Sequence, residues 1–395
     1  MERRERGFFG KVLVLILTLF AVIGLVAMTI SVLCPYIDPK QFVWAAFFGL
    51  AFWEILFFNV LVFFLLLLLW SRKVWIAVLA LLIAIPGVMK SYSFGNGVEK
   101  GERDSIRLMS YNVYQFQSLD GKNAKEDVAS QMIRVIREQS PDILCCQEFS
   151  YFKQGVGRPK CITMFADSIG MPYVYYNRND NYGGNVIFSK YPVVKVMEGD
   201  GFSKEKLYGV LVSVDAGEKG QFYLAGIHLV SNMITRDEID KLINASDYQQ
   251  NLDTVGRSVA HKLKGGYTLR SDQVKEMLQG IPEVDAPIIL CGDFNDTPLS
   301  YTYRRMQKAG YKDTFISVGR GIKPTYAGKL PLLRIDYIWA NDKVTPLNFT
   351  RCHSKASDHY PILLDFTVEK TNTPKPVLQP TENTVTEQTI KTEII

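Results

Sequence analysis

Six apolar stretches of this 395-residue chain end in, or run up to, a polar residue equipped for chemistry. Asn112 follows Leu108-Met109-Ser110-Tyr111, and Glu148 follows Ile143-Leu144-Cys145-Cys146-Gln147. His228 follows Leu224-Ala225-Gly226-Ile227, and Asp293 and Asn295 follow Ile288-Ile289-Leu290-Cys291-Gly292. Asp336 lies within Arg334-Ile335-Asp336-Tyr337-Ile338-Trp339, and Asp358-His359 stands before a final apolar run. One such residue alone reads as a cap or turn. Six of matched type call for a common purpose. Carboxylates bind a hard divalent cation such as Mg²⁺ through oxygen. The cation polarises a phosphoryl oxygen, and a carboxylate can take a proton from an attacking water. An imidazole whose tautomer is fixed by a neighbouring acid can donate to a phosphate oxygen or a leaving group. The set suits metal-assisted phosphoester hydrolysis.

Short strands must carry these residues. From Ile106 onward, brief apolar runs alternate with amphipathic segments and Gly/Asn/Asp turns, the pattern of a layered α/β domain. Strands are expected at 106–113, 142–147, 186–189, 208–214, 222–228, 288–291, 335–339 and 362–368. A helix is expected at 125–137, with Val128, Met132, Val135 and Ile136 on one face. The polar stretch 231–280 reads as mostly helical, broken at Gly265-Gly266. About 265 residues are enough for a real core. Residues 370–395, rich in Thr, Pro, Glu and Lys, read as a disordered tail. None of the six cysteines has a metal-ligand spacing, and Cys145, Cys146 and Cys291 read as buried apolar side chains.

The first 93 residues differ in kind. Val12–Leu33 carries no charge over 22 residues, long enough to span a bilayer as a helix. Phe42–Trp70 is a longer apolar run interrupted by Glu54 and Asn59, and Val74–Met89 is a third, shorter run containing Pro86. Arg3, Arg4, Arg6 and Lys11 precede the first run, and Arg72 and Lys73 separate the last two. The positive-inside rule then puts the N-terminus and the 71–73 turn in the cytoplasm. Three spans, the favoured reading, place everything after Lys90 outside it, whereas a third run lying on the membrane surface would leave the large domain cytoplasmic. Glu54 in an apolar run reads as an interhelical hydrogen-bonding group, with an intramembrane functional role as the other reading. Residues 1–90 hold eight Lys/Arg and four Asp/Glu, so most of the formal charge of +5 sits there. The near-neutral remainder argues against a dedicated nucleic-acid binder, which meets phosphates with a basic face.

Residues 104–369 resemble the endonuclease/exonuclease/phosphatase superfamily, which includes DNase I-like nucleases, inositol polyphosphate 5-phosphatases and neutral sphingomyelinases. The carriers are Ser110-Tyr111-Asn112-Val113, Gln147-Glu148, Gly184-Asn185-Val186-Ile187-Phe188-Ser189, His228-Leu229, Gly292-Asp293-Phe294-Asn295, Arg334-Ile335-Asp336-Tyr337-Ile338 and Ser357-Asp358-His359-Tyr360-Pro361, in the family's order. The resemblance implies a four-layer α/β sandwich with its site where two central sheets meet, and Mg²⁺ or Mn²⁺ as cofactor. It implies Glu148 as the main metal ligand, with Asn112 beside it and Asp358 near the metal as a further candidate ligand. Asp293 would be the base for the attacking water, positioned with Asn295. His359, held by Asp336, would contact the phosphate, and His228 would donate a proton or stabilise the transition state. Asn185, Arg334 and Arg270 are candidate substrate contacts, the two arginines being equally readable as salt-bridge partners. Tyr114 stands where several DNA-repair members carry an acid, which weakens a repair-type role. Tyr326 reads as core or turn with a cleft role as the other reading, and His261 and His353 as exposed residues.

Three functions follow. The first is a membrane-anchored, metal-dependent phosphohydrolase cleaving a phosphodiester or phosphoanhydride, with a lipid headgroup as a leading candidate because tethering concentrates the domain beside lipid. Membrane-anchored members of similar layout are linked to bacterial envelope lipids, which suggests a polyprenyl pyrophosphate and an extracytoplasmic site on a bacterial inner membrane. The second is an anchored nuclease acting on DNA or RNA. The third is an inactive membrane scaffold, against which the complete acid–amide–histidine set argues.

Overall fold

A computed structural model of the chain describes residues 7–95, 104–119, 121–176, 183–195, 209–234, 238, 241, 252–328 and 332–370. It separates into two compact units: residues 1–91 with 297–304, and residues 92–296 with 305–395.

The first unit is helical. It contains α1 (Phe8–Leu33), α2 (Trp44–Leu50), α3 (Phe52–Leu68) and α4 (Val74–Ser91). Phe8–Tyr36 and Val74–Ser91 are long and apolar enough to cross a membrane, and α2 and α3 together would make a third span bent by 67°. The second apolar run is thus two helices rather than one straight one. Asn59 takes the interhelical role expected of Glu54: its Nδ2 donates to Gly24 O at 3.1 Å, while Glu54 is exposed. A Cβ on Gly24 would stand 2.5 Å from Asn59 Oδ1, so only glycine admits the contact. Leu299 packs in the same unit with Met28, Phe52 and Ala84, and its carbonyl accepts from Cys34 Sγ at 2.8 Å.

The second unit is built on two six-stranded sheets. The first comprises β1 (Ile106–Asn112), β2 (Ile143–Phe149), β3 (Tyr173–Tyr176), β4 (Gly184–Ser189), β11 (Val344–Arg351) and β12 (Ile362–Val368), in the order β11-β12-β1-β2-β4-β3. The second comprises β5 (Val193–Lys195), β6 (Gly209–Asp215), β7 (Gln221–His228), β8 (Ile288–Asp293), β9 (Lys312–Asp313) and β10 (Asp336–Ala340), in the order β9-β10-β8-β7-β6-β5. Each sheet has one parallel pair near its centre, β1–β2 and β7–β8. The strands at 173–176, 193–195, 312–313 and 344–351 are additional to those the sequence predicts.

Alternate residues of each strand decide the layers. Ile106, Leu108, Ile143, Cys145 and Ile187 of the first sheet meet Val212, Leu224, Ile289, Cys291 and Ile338 of the second in one buried core. The other face of the first sheet, with Met109, Tyr111, Leu144, Cys146 and Phe188, packs on α5 (Lys125–Gln139) and α6 (Arg158–Ile169). Phe116, Phe149, Phe152 and Phe165 fill that layer edge to face. A long helix, α7 (Leu252–Gln279), runs unbroken through Gly265-Gly266, where the sequence suggests an interruption. Tertiary contacts override the weak local propensity of glycine there. The chain is therefore the four-layer α/β sandwich expected. All six cysteines are buried, and none is in a disulfide. The tail expected at 370–395 lies, after Lys370, outside the described residues.

Candidate active site

The inter-sheet face supplies the site. In β1, Leu108 points into the inter-sheet core, so Ser110 and Asn112 share its face. In β7, β8 and β10 the same period places His228 with Leu224, Asp293 with Cys291, and Asp336 with Ile338. The two parallel pairs thus deliver polar groups at their carboxyl ends, where ligands of α/β sheets bind. His228 and Asp293 are register partners across β7–β8, and Asp293 and Asp336 across β8–β10.

Glu148 breaks this alternation. Its neighbours Cys146 and Leu144 face the helices, and period two would send Glu148 after them. The β2–β4 register shifts between Cys146 and Phe149, so two residues of β2 oppose Asn185, and Glu148 has φ 55°. Such a bulge re-aims a side chain. Glu148 Oε1 accepts from Asn112 Nδ2 at 3.1 Å and lies 3.6 Å from His228 Nε2.

Asp293 is the centre. Its Oδ2 accepts from Asn112 Nδ2 at 3.1 Å and lies 3.6 Å from His359 Nε2 and 3.9 Å from His228 Nε2. Its Oδ1 accepts the Asn295 backbone N–H at 2.8 Å. Burial pushes the Asp293 carboxyl above its ordinary range, opposed by His359, raised further by Asp336, and opposed again by His228 and the Asn295 amide. Gly292 makes the strand's exit geometry attainable: its φ is 143°, and a Cβ there would stand 1.9 Å from Ile227 O.

His359 is buried and bonded at both ends. Nδ1 lies 2.9 Å from Asp336 Oδ2, and the backbone N–H donates to Ser357 Oγ at 3.2 Å. Burial opposes its charge, but Asp336 and Asp293, the hydrogen bond to Asp336, and Asp358 outweigh it and hold its pKa well above the usual histidine value. Tyr326 stands edge-on to the ring at 5.5 Å, so the sequence's core-or-cleft residue borders this histidine. Asp358 is buried and its carbonyl accepts from Ala327 N.

Several contributors escaped the sequence reading. Ser357 Oγ donates to Asn112 O at 2.7 Å, tying the histidine loop to the end of β1. Thr325 Oγ1 accepts from the backbone N–H of both Ile335 and Asp336 at 3.0 Å. Thr325 lies outside every motif, and Ser357, which opens the Ser357-Asp358-His359 motif, shows its bond to Asn112 only in the fold. Asn185 is 6% exposed, and its Oδ1 has no hydrogen-bond partner among the described residues. Arg334 is committed to Asp313 Oδ2 at 2.6 Å and sits between the Phe315 and Tyr337 rings. Arg270 is fully buried, on Val230 O and Asn232 Oδ1. His261 and His353 are exposed, as the sequence suggests.

The donor set fits a hard cation. Asn112 presents its amide to Glu148 and Asp293 at 3.1 Å each. The two carboxylates that converge there present the oxygen ligands a hard divalent cation takes. Asp293, Asp336 and His359 also offer three ligand-type atoms within 4.8 Å. The Glu148–Asn112–Asp293 side offers oxygen donors, the type a hard cation such as Mg²⁺ takes.

Fold and site together define an α/β sandwich of the class that hydrolyses phosphoester bonds. The match to known families agrees: the chain belongs to the endonuclease/exonuclease/phosphatase family, matched over residues 109–359. Residues 11–91 match a domain of unknown function, DUF8431. No curated protein matches the chain. Similar solved structures include an endonuclease/exonuclease/phosphatase from Beutenbergia cavernae, 18% identical, covering 67% of this chain and 72% of that one with TM-score 0.44. Another, from Bacteroides vulgatus, is 15% identical over 67% and 99%, with TM-score 0.44. The Bacteroides thetaiotaomicron mannosyl-6-phosphatase is 14% identical over 67% and 100%, with TM-score 0.41.

Proposed function

We propose that the protein is a membrane-anchored, divalent-metal-dependent phosphohydrolase that cleaves a phosphodiester or phosphoanhydride of a lipid headgroup by water attack. One observation carries the reading. Asn112, Glu148, His228, Asp293 and the Asp336–His359 pair meet at one rim of the two sheets, under 4 Å apart in a connected series. Nothing in the packing of the strands requires that set.

Glu148, Asn112 and Asp293 would hold Mg²⁺ or Mn²⁺, with Asp358 nearby. A cation bound there neutralises charge on the phosphoryl group. Asp293, buried beside two imidazoles, orients the attacking water and takes its proton, with Asn295 fixing the carboxylate through its backbone N–H. His359, positively charged and anchored by Asp336, steadies the phosphate oxygens as charge develops. His228 faces the same carboxylates and supplies a proton to the leaving group. Asn185, beside the Glu148 bulge, is a candidate substrate contact. Arg270 and Arg334 support the site from behind.

Residues 1–93 form the membrane region and 104–369 the hydrolase domain in this reading. The apolar helices, and Trp70 and Trp75 exposed at helix ends, suit a bilayer and its interface. Three spans with Arg72 and Lys73 inside would place the hydrolase domain outside the cytoplasm of a bacterial cell.

The test is a substrate panel on the full-length protein in detergent and in vesicles: polyprenyl pyrophosphate, sphingomyelin, phosphoinositides, DNA, RNA and a chromogenic diester, each with Mg²⁺ and with chelator. Metal-dependent turnover of a lipid phosphate supports the reading. Cleavage of nucleic acid alone would favour the nuclease, and no turnover at all the scaffold. Protease access to the C-terminus in intact and opened cells tests the topology.

A further inference from the structure

Arg270 has no solvent exposure, yet it is charged and lies on α7, outside the strands that carry the cluster. Burying a guanidinium costs free energy unless its geometry is used. Here the use is specific. Nη1 donates to Val230 O at 3.0 Å and to Asn232 Oδ1 at 2.9 Å, two and four residues beyond His228. Nε faces Asp296 Oδ2 at 3.5 Å, one residue beyond Asn295. One side chain therefore hydrogen-bonds the loop after β7 and makes an ion pair with the loop after β8.

The surroundings are shaped for the same purpose. Gln273, one turn along α7, accepts the Val230 backbone N–H at 2.8 Å. Gly266, one turn earlier, is where Asn232 docks: a Cβ there would stand 2.3 Å from Asn232 Oδ1 and 3.0 Å from Arg270 Nη1. The loops are also stitched to each other. Leu229 N donates to Asp293 O at 3.0 Å, and Asn295 Nδ2 donates to Leu229 O at 3.0 Å. Asn295 has φ 51°, a left-handed conformation that persists only where the surroundings enforce it.

We infer that Arg270, through Val230, Asn232 and Asp296, is a positioning residue that fixes the His228 loop against the Asp293–Asn295 loop, with Gly266 and Gln273 completing the clamp. Its effect on catalysis rests on the function proposed above; its effect on loop order does not. A lysine at 270 would carry the charge but not the planar fork that reaches both loops. Gly266, unexplained by helix propensity, is explained by the docking of Asn232.

Two readouts on the full-length protein in detergent test this, with exposed Lys264→Ala on the same helix as control. The first is hydrogen–deuterium exchange, which needs no substrate. In Arg270→Met and Gly266→Ala, peptides covering 229–234 and 293–296 should exchange at least about tenfold faster, while β1 and β2 peptides stay as in the wild type. The second is hydrolysis of a chromogenic phosphodiester with Mn²⁺. There kcat should fall about 10- to 100-fold with KM within about threefold, and Arg270→Lys should not rescue it. The Arg270→Met loss should also largely vanish in an Asn295→Ala background, because the two act through one loop. Gly266→Ala keeps the charge and improves helix propensity, so its loss of turnover without a lower melting temperature separates positioning from folding. Wild-type exchange in both loops of Arg270→Met and Gly266→Ala would overturn the inference. A wild-type enzyme inactive on the diester would count against the proposed function, and the exchange result would still decide this one.

Discussion

Asp293 and Asp336 are directly paired across β8–β10, and His359 lies between their carboxylates, 2.9 Å from Asp336 and 3.6 Å from Asp293. Two buried acids on adjacent strands repel unless a cation separates them. The imidazolium does so, and it is thereby oriented with Nε2 toward the cluster. Stability and chemistry meet in this one arrangement.

Removing that cation should cost activity more than structure. His359→Ala and Asp293→Ala are each expected to lower kcat by about 10²–10⁴-fold, and Asp336→Asn by less. Circular dichroism and thermal melts should remain cooperative. Full activity in either alanine variant would remove those residues from the mechanism.

Chelation should abolish hydrolysis, and added Mg²⁺ or Mn²⁺ should restore it. Glu148→Gln keeps the shape and one acceptor oxygen but loses the charge. We expect its activation by metal to shift to at least about tenfold higher concentration, read by titrating Mn²⁺ against turnover or by calorimetry. An unchanged metal requirement would place the cation elsewhere.

The charge on His359 sets a pH dependence of stability. Its folded pKa is raised above the ordinary 6.5. Its contribution is therefore complete below about pH 6.5 and is lost as the pH rises through the folded value. The difference in melting temperature between the wild type and His359→Gln should be largest near pH 6 and shrink toward alkaline pH. A difference that grew with pH would contradict the assignment of a protonated imidazole.

In the helical unit, Asn59 and Gly24 form a matched pair. Asn59→Leu should cost about 1 kcal/mol, the scale of an interhelical hydrogen bond in a membrane. Gly24→Val should cost more, because the asparagine must then move. Detergent melting curves would show the order; equal or reversed effects would argue against the close approach.

In the aromatic layer behind β2, Phe149 is fully buried with Phe116, Phe165 and Phe188 around it. Phe149→Ala should destabilise the hydrolase domain by about 3–5 kcal/mol. Because Phe149 follows Glu148, metal activation should weaken as well. A variant that melts like the wild type would mean the layer repacks.

Much of the site was legible because strands repeat with period two. Leu108, Cys291, Leu224 and Ile338 had to be buried, so Asn112, Asp293, His228 and Asp336, an even number of residues away on the same strands, had to share their face. The apolar runs before residue 91 were legible from length and charge alone. The rest depended on residues far apart in the chain. The β2 bulge that swings Glu148 inward reflects pairing with β4, which the local sequence does not encode. Ser357 and Thr325 act by bonding to backbone groups, which any sequence can supply, and Arg270 acts through Val230 O and the side chains of Asn232 and Asp296. Their partners exist only once the strands are placed. Residue types and their period decided what could face the site; the tertiary structure decided which of those groups meet, because hydrogen bonds across loops depend on distances that only the packed sheets define.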